Sequence, residues 1–238
     1  LFNRVTVPEW IDYKTGEATT FLRSDLFAIA LNLGTESNLR KMLAGEALLF
    51  KGQEHLAPTE EGVMQALYRE LNETEWKFVE RAWRQVDSMF PELAAVEREL
   101  TGLTPEKVEP RKVITPYGEI EGGYWPVAYD TDAVRAADAG VNLEEIKSSD
   151  MDAALGLGRR GVATNKGHTI SRTDFVAPVL LNFEGVLFGH VNQVAKRIAY
   201  QAWATQALKL IRDPRVKAMW SRKLGPEYHA QLEPWLRD

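Results

Sequence analysis

The sequence predicts a mainly α-helical fold: an irregular multi-helix bundle around one long helix in the C-terminal half, with a small β-hairpin insertion. Three observations predict it. Apolar residues recur at three- and four-residue spacing in segments bounded by Ser, Thr, Asn, Gly and Pro. The longest such segment, from about Glu184 to Ile211, places Leu187, Val191, Val194, Ile198, Ala202, Leu208 and Ile211 on one side, and Asn192, Gln193, Lys196, Arg197, Gln206 and Lys209 on the other. A helix of about 28 residues is about 42 Å long and would form the spine. Only 108–130 gathers tyrosine, tryptophan, proline and glycine densely enough to suggest β structure.

Taken in order, Leu1–Thr19 reads as irregular, with Pro8 and a turn at Tyr13–Gly16. A first helix is expected from Ser24 as N-cap, through Leu26, Ile29, Ala30 and Leu33, to Gly34 as its stop. A second, short helix spans roughly Ser37–Leu43 and ends at Gly45. Pro58 and Thr59 open a third, with Val63, Leu67 and Leu71 at helical spacing. Asn72 and Glu75 have the spacing of a capping box, and Val79, Ala82, Trp83, Val86 and Phe90 form the stripe of the helix behind it. Pro91 starts a further helix that Gly102 halts.

Val113–Thr115 and Glu119–Glu121 flank Pro116-Tyr117-Gly118 and predict the hairpin. Gly122 and Gly123 then let the chain turn, so that Tyr124 and Trp125 dock on the helices. Short helices are expected over Asp132–Ala139 and Asn142–Leu155, and a loop over Gly156–Arg172. After the long helix, Asp213-Pro214 is a break, followed by helices over Pro214–Leu224 and Pro226–Trp235.

Length alone fits one large domain or two small ones; no linker is polar enough to force a boundary, so a single helical domain over 1–238 is expected, with the β insertion at about 108–130. Leu1 at the start, with no basic or apolar leader, suggests a fragment of a longer chain. With 29 basic and 34 acidic residues, the net charge of −5 argues against a general binder of nucleic acid or anionic membrane, and leaves room for a local basic patch. The absence of cysteine excludes disulfides, thiolate metal sites and cysteine nucleophiles. No apolar run approaches the length of a membrane span.

Gly156, Gly158 and Gly161 match the spacing of a dinucleotide fingerprint, but the preceding stretch is not a buried strand and the following one opens no helix. The match reads as coincidence. The same segment lacks acidic residues between Asp152 and Asp174 while carrying Arg159, Arg160, Lys166, His168 and Arg172. Two readings compete: a solvated loop, or a contact for phosphate or nucleic acid. His55, His168, His190 and His229 show no metal-ligand spacing, and no nucleophile motif occurs, so no catalytic, cofactor or metal residue is predicted. Trp76 and Trp83, seven apart, share a helix face that serves either as a stacking platform for bases or as core packing.

Several of these stretches occur together. Asn32-Leu33-Gly34-Thr35-Glu36-Ser37-Asn38 is followed by Trp76–Trp83, by Thr115-Pro116-Tyr117-Gly118, by Gly122-Gly123-Tyr124-Trp125-Pro126, by His168–Arg172 and by the helix Val191–Ile211. This order resembles a helical region of the very large polyvalent proteins of tailed bacteriophages and prophages, those of the PLxRFG-containing type. The resemblance spans about 25–236. It implies a module of a much larger phage protein, located in the virion or in the cytoplasm of the bacterial host, and no active site at any position.

The expected function is a non-enzymatic structural or interaction module. It would present the aromatic hairpin and the basic loop to other modules of the parent polypeptide; self-association into a homo-oligomer is compatible. The rival is nucleic-acid contact through Arg159, Arg160, Lys166, His168 and Arg172, and a third reading is an enzyme-associated domain with an unrecognised site.

Overall fold

A computed structural model describes residues 3–50, 52–130, 178–225 and 227. Among them the order is β1 (Arg4–Ile11), β2 (Ala18–Leu22), α1 (Arg23–Asn32), α2 (Glu36–Ala47), a 3₁₀ turn (Glu54–Leu56), α3 (Glu60–Glu70), α4 (Glu73–Asp87), α5 (Phe90–Thr101), β3 (Lys112–Thr115), β4 (Gly118–Glu121) and α6 (Phe183–Lys196). A π turn (Arg197–Gln201), α7 (Ala202–Arg212) and α8 (Pro214–Leu224) complete the described chain. The fold is mainly helical, as the sequence predicts.

The innermost element is α1. Every residue from Leu26 to Asn32 is buried, so this helix is apolar nearly all round and other elements must surround it. Val63 and Leu67 of α3, Trp76, Val79, Trp83 and Val86 of α4, and Phe183 and Val186 of α6 belong to the same core. Phe27, Phe78 and Phe183 form an edge-to-face triangle with ring centroids 5.2–6.1 Å apart, joining α1, α4 and α6.

The amino-terminal segment corrects the sequence reading. Instead of being irregular, β1 and β2 form an antiparallel hairpin in which Arg4 faces Leu22 and Val7 faces Thr19. Pro8 hid it: the register shifts between Val7 and Ile11, and such an irregularity is where a strand tolerates proline. Val7, Trp10 and Phe21 are buried, with the Trp10 and Phe21 rings edge to face at 5.1 Å. The expected turn is present: the Asp12 carboxylate accepts from the Lys14 and Thr15 amides, and Gly16 has φ 71°.

Two helix ends also differ. The cap of α1 is Leu22 and not Ser24; the Asp25 carboxylate reaches back to accept from the Leu22 amide at 2.8 Å. Helix α2 starts one residue after Thr35, whose hydroxyl accepts from the Asn38 amide, and runs through the buried Gly45 to Ala47. Elsewhere the local signals hold. Thr59 caps α3, Asn72 and Glu75 form the capping box of α4, and Gly102 ends α5 with φ 76°. The hairpin β3–β4 pairs Lys112 with Glu121 and Thr115 with Gly118.

The long C-terminal-half helix is present from Phe183 to Arg212, but with a π turn in it. Its core-facing row in α6 is Phe183, Val186, His190 and Val194, whereas Val191, expected on the apolar face, lies at the surface. Counting apolar residues alone skips His190, which occupies a core position. The expected helices over Asp132–Ala139 and Asn142–Leu155 lie outside the described residues, as does nearly all of that over Pro226–Trp235.

Candidate interaction surface

Three of the stretches in the ordered set, 32–38, 76–83 and 122–126, meet in space. The Gly34 carbonyl accepts from the Arg111 amide at 2.8 Å, and the Arg111 carbonyl accepts from the Gly122 amide at 2.8 Å. The Asn38 side-chain amide donates to the Trp125 carbonyl at 2.8 Å, and Trp83 donates its indole N–H to the Leu31 carbonyl at 2.8 Å. Close approach requires the glycines here. A Cβ on Gly34 would stand 2.3 Å from the Gly123 carbonyl oxygen, and one on Gly123 would stand 2.6 Å from Trp83 Cβ. Trp76, Trp83 and Trp125 are all buried, so these tryptophans pack the core and offer no stacking face. This knot locks β3–β4 and the following segment onto α1, α2 and α4, and it is filled by its own residues. Gly34 accordingly serves contact as much as termination.

The hairpin tip does reach solvent. Ile114 and Tyr117 are exposed while Val113 and Thr115 face inward, and the Tyr68 hydroxyl anchors the strand by donating to the Ile114 carbonyl at 2.6 Å. Arg159, Arg160, Lys166, His168 and Arg172, together with the glycine pattern 156–161, lie outside the described residues. Among the histidines, His55 is exposed and His190 is buried, its ring tilted against Tyr124 at 5.7 Å. No group of three His, Cys, Asp or Glu side chains among the described residues is placed to hold a metal ion.

Glu46 is the most perturbed described carboxyl. Burial pushes it up to about 7; a hydrogen bond from the Trp10 side chain opposes the shift, and the nearby Asp130 carboxylate adds to it. It is half-buried on α2, with the Trp10 side chain and the Asp130 carboxylate as neighbours. The arrangement couples protonation to packing.

The most distinctive surface is one that whole-chain composition conceals. From Lys196 to Leu224 the chain has Lys196, Arg197, Lys209, Arg212, Arg215, Lys217, Arg222 and Lys223 against the single acid Asp213. The segment therefore carries +7, and the rest of the chain −12, within a total of −5. Elsewhere on the described surface most cations pair with carboxylates, while Arg4, Lys14, Arg81 and Arg98 are exposed and form no ion pair among the described residues. Arg23 binds Glu75 and Arg69 binds Glu9; Lys77, Arg84, Lys107, Arg111 and Lys112 have partners too. Lys209, Arg215, Lys217, Arg222 and Lys223 are exposed and form no ion pair among the described residues.

This basic segment forms an arm with a firm root and an exposed outer half. At the root, the Arg197 guanidinium pairs with the Glu97 carboxylate of α5, both largely buried, and Gln206 donates to Glu99 at 3.0 Å. Ile211 is the buried anchor of α7. Beyond it, Asp213 caps α8 by accepting from the Arg215 and Val216 amides, and α8 has no buried residue. Trp203 and Leu210, seven apart and so on one face of α7, are 57% and 58% exposed; Tyr200, Met219 and Leu224 are exposed as well. The apolar arc of the arm is thus wider than the core that it covers. The signal in the sequence that finds this arm is a count of charge by segment.

Compared with protein-family models, curated proteins and solved structures, the chain matches none. Among the described residues no helix is long and apolar enough to cross a membrane.

Proposed function

We propose that the chain is a non-enzymatic structural and interaction module of a large phage or prophage protein, and that it docks through the basic arm 196–224. The phage context rests on the resemblance of the ordered motifs; the docking role rests on the arm. The single observation that carries the docking role is the concentration of unpaired cations in one segment, 196–224. Most cations on the body are neutralised by neighbouring carboxylates, and the exposed ones that form no ion pair among the described residues, Arg4, Lys14, Arg81 and Arg98, are scattered along the chain. On the arm, Lys209, Arg215, Lys217, Arg222 and Lys223 have no ion-pair partner among the described residues, and the same segment exposes Trp203, Leu210, Met219 and Leu224. Unpaired like charges on two adjoining helices repel one another, and a large exposed apolar set is uncommon on a solitary surface. A partner with complementary charge relieves both.

Retention on immobilised heparin tests this. A chain of net charge −5 without a working patch flows through. The wild type is expected to bind at low salt and to elute as salt rises, because cation contacts release counterions. A variant with Lys209, Arg215, Lys217, Arg222 and Lys223 changed to Gln is expected to flow through. Equal retention of both proteins refutes the arm as the docking surface.

A further inference from the structure

We infer that the arm is an interfacial anchor for an anionic lipid surface, lying along the headgroups and not spanning the bilayer. The inference rests on the reading of the arm as the docking surface, and it names the partner by chemistry. Charge alone selects a polyanion and leaves nucleic acid and lipid equal. The exposed apolar residues separate them. Phosphodiester backbones offer nothing to Leu210, Met219 or Leu224, whereas the boundary between headgroups and acyl chains accepts them together with the Trp203 ring and the cations.

The arrangement fits in detail. Trp203 and Leu210 share one face of α7. In α8, Val216 and Trp220 are half-buried, while Met219 and Leu224 remain outside, flanked by Arg215, Lys217, Arg222 and Lys223. Lys and Arg bracketing apolar side chains on a short amphipathic helix is the composition of a peripheral membrane anchor, with low mean hydropathy and a strongly basic polar face. The root through Arg197 and Glu97 fixes the arm to the folded body, so that insertion of α7 and α8 would bring the body to the surface.

The experiment is vesicle flotation of the full chain with phosphatidylcholine alone and with phosphatidylcholine containing phosphatidylglycerol, alongside a duplex DNA of random sequence. Binding is expected to the anionic vesicles, to weaken with salt, and to be absent with phosphatidylcholine alone. Changing Arg215, Lys217, Arg222 and Lys223 to Gln should lower partitioning by roughly a hundredfold or more. Changing Trp203 and Leu210 to Gln should also abolish flotation while leaving heparin retention intact, with circular dichroism confirming that the variants remain folded. A blue shift of tryptophan emission on adding anionic vesicles, lost with Trp203→Gln, places the arm in the interface.

Binding to DNA without binding to vesicles overturns the lipid assignment and leaves the arm as a docking surface. Charge-dependent self-association by sedimentation, again without vesicle binding, likewise overturns it in favour of the acidic body of a second copy. Failure to bind heparin, vesicles and DNA alike overturns both the assignment and the docking role.

Discussion

The guanidinium of Arg197 is paired with the carboxylate of Glu97 at the one place where the long helix departs from α geometry, the π turn Arg197–Gln201. The two side chains are 14% and 8% exposed. A π turn inserts one residue and so rotates the remainder of the helix about its axis. Here Arg197 reaches α5 while α7 continues with Trp203 and Leu210 outward. The pair is therefore the root of the arm as well as a tie between two helices.

Removing one member should be costly. Arg197→Ala leaves Glu97 buried without its partner, and a loss of about 3–5 kcal/mol is expected in urea unfolding. Replacing both by apolar residues of similar size should restore much of it. If the single and double variants are equally destabilised, the cost comes from lost packing and not from the orphaned charge.

The glycine knot makes a second prediction. Gly123→Ala would put a methyl 2.6 Å from Trp83 Cβ, and Gly34→Ala would put one 2.3 Å from the Gly123 carbonyl oxygen. Neither contact can be met without displacing the buried indole or the backbone. Each substitution should lower stability by about 1–3 kcal/mol and shift the Trp83 fluorescence. Gly16→Ala changes nothing in that knot, because a Cβ there meets open space; its expected cost is the strain of φ 71° alone.

Stability should depend on pH through Glu46. Its folded-state carboxyl is pushed by burial from 4.5 to about 7, so the folded protein holds this proton more tightly than the unfolded chain. The resulting stabilisation is complete below the unfolded value of 4.5 and is lost as pH rises through about 7. Glu9 and Asp12 act oppositely. The Arg69 guanidinium and the Thr15 amide, respectively, hold them below the usual carboxylate range, so their contribution disappears only at more acid pH. Thermal melts should show Tm falling between about pH 5 and pH 8. Glu46→Gln should flatten that slope and raise Tm at the alkaline end; an unchanged slope would contradict the assignment.

Most local elements were legible because their signals are local. Asn72 and Glu75 announce α4 three residues apart, Gly102 announces the end of α5, and Asp213-Pro214 separates α7 from α8. The β1–β2 hairpin was not, since Pro8 interrupts the alternation of Val5, Val7 and Trp10, and only pairing across the turn restores it. The π turn was not legible either, because the residue that Arg197 meets there, Glu97, lies a hundred residues earlier. The arm is visible in the sequence as charge, but the whole-chain balance masks it. Arg159 and its neighbours draw attention by the same logic applied to a different segment.

Amide hydrogen exchange of the full chain, with and without a heparin oligosaccharide at low salt, tests the central claim most directly. Slowed exchange concentrated in 196–224, and lost when Lys209, Arg215, Lys217, Arg222 and Lys223 become Gln, is the predicted result. Protection confined to 156–172 or to the β3–β4 tip, with none on the arm, would contradict it.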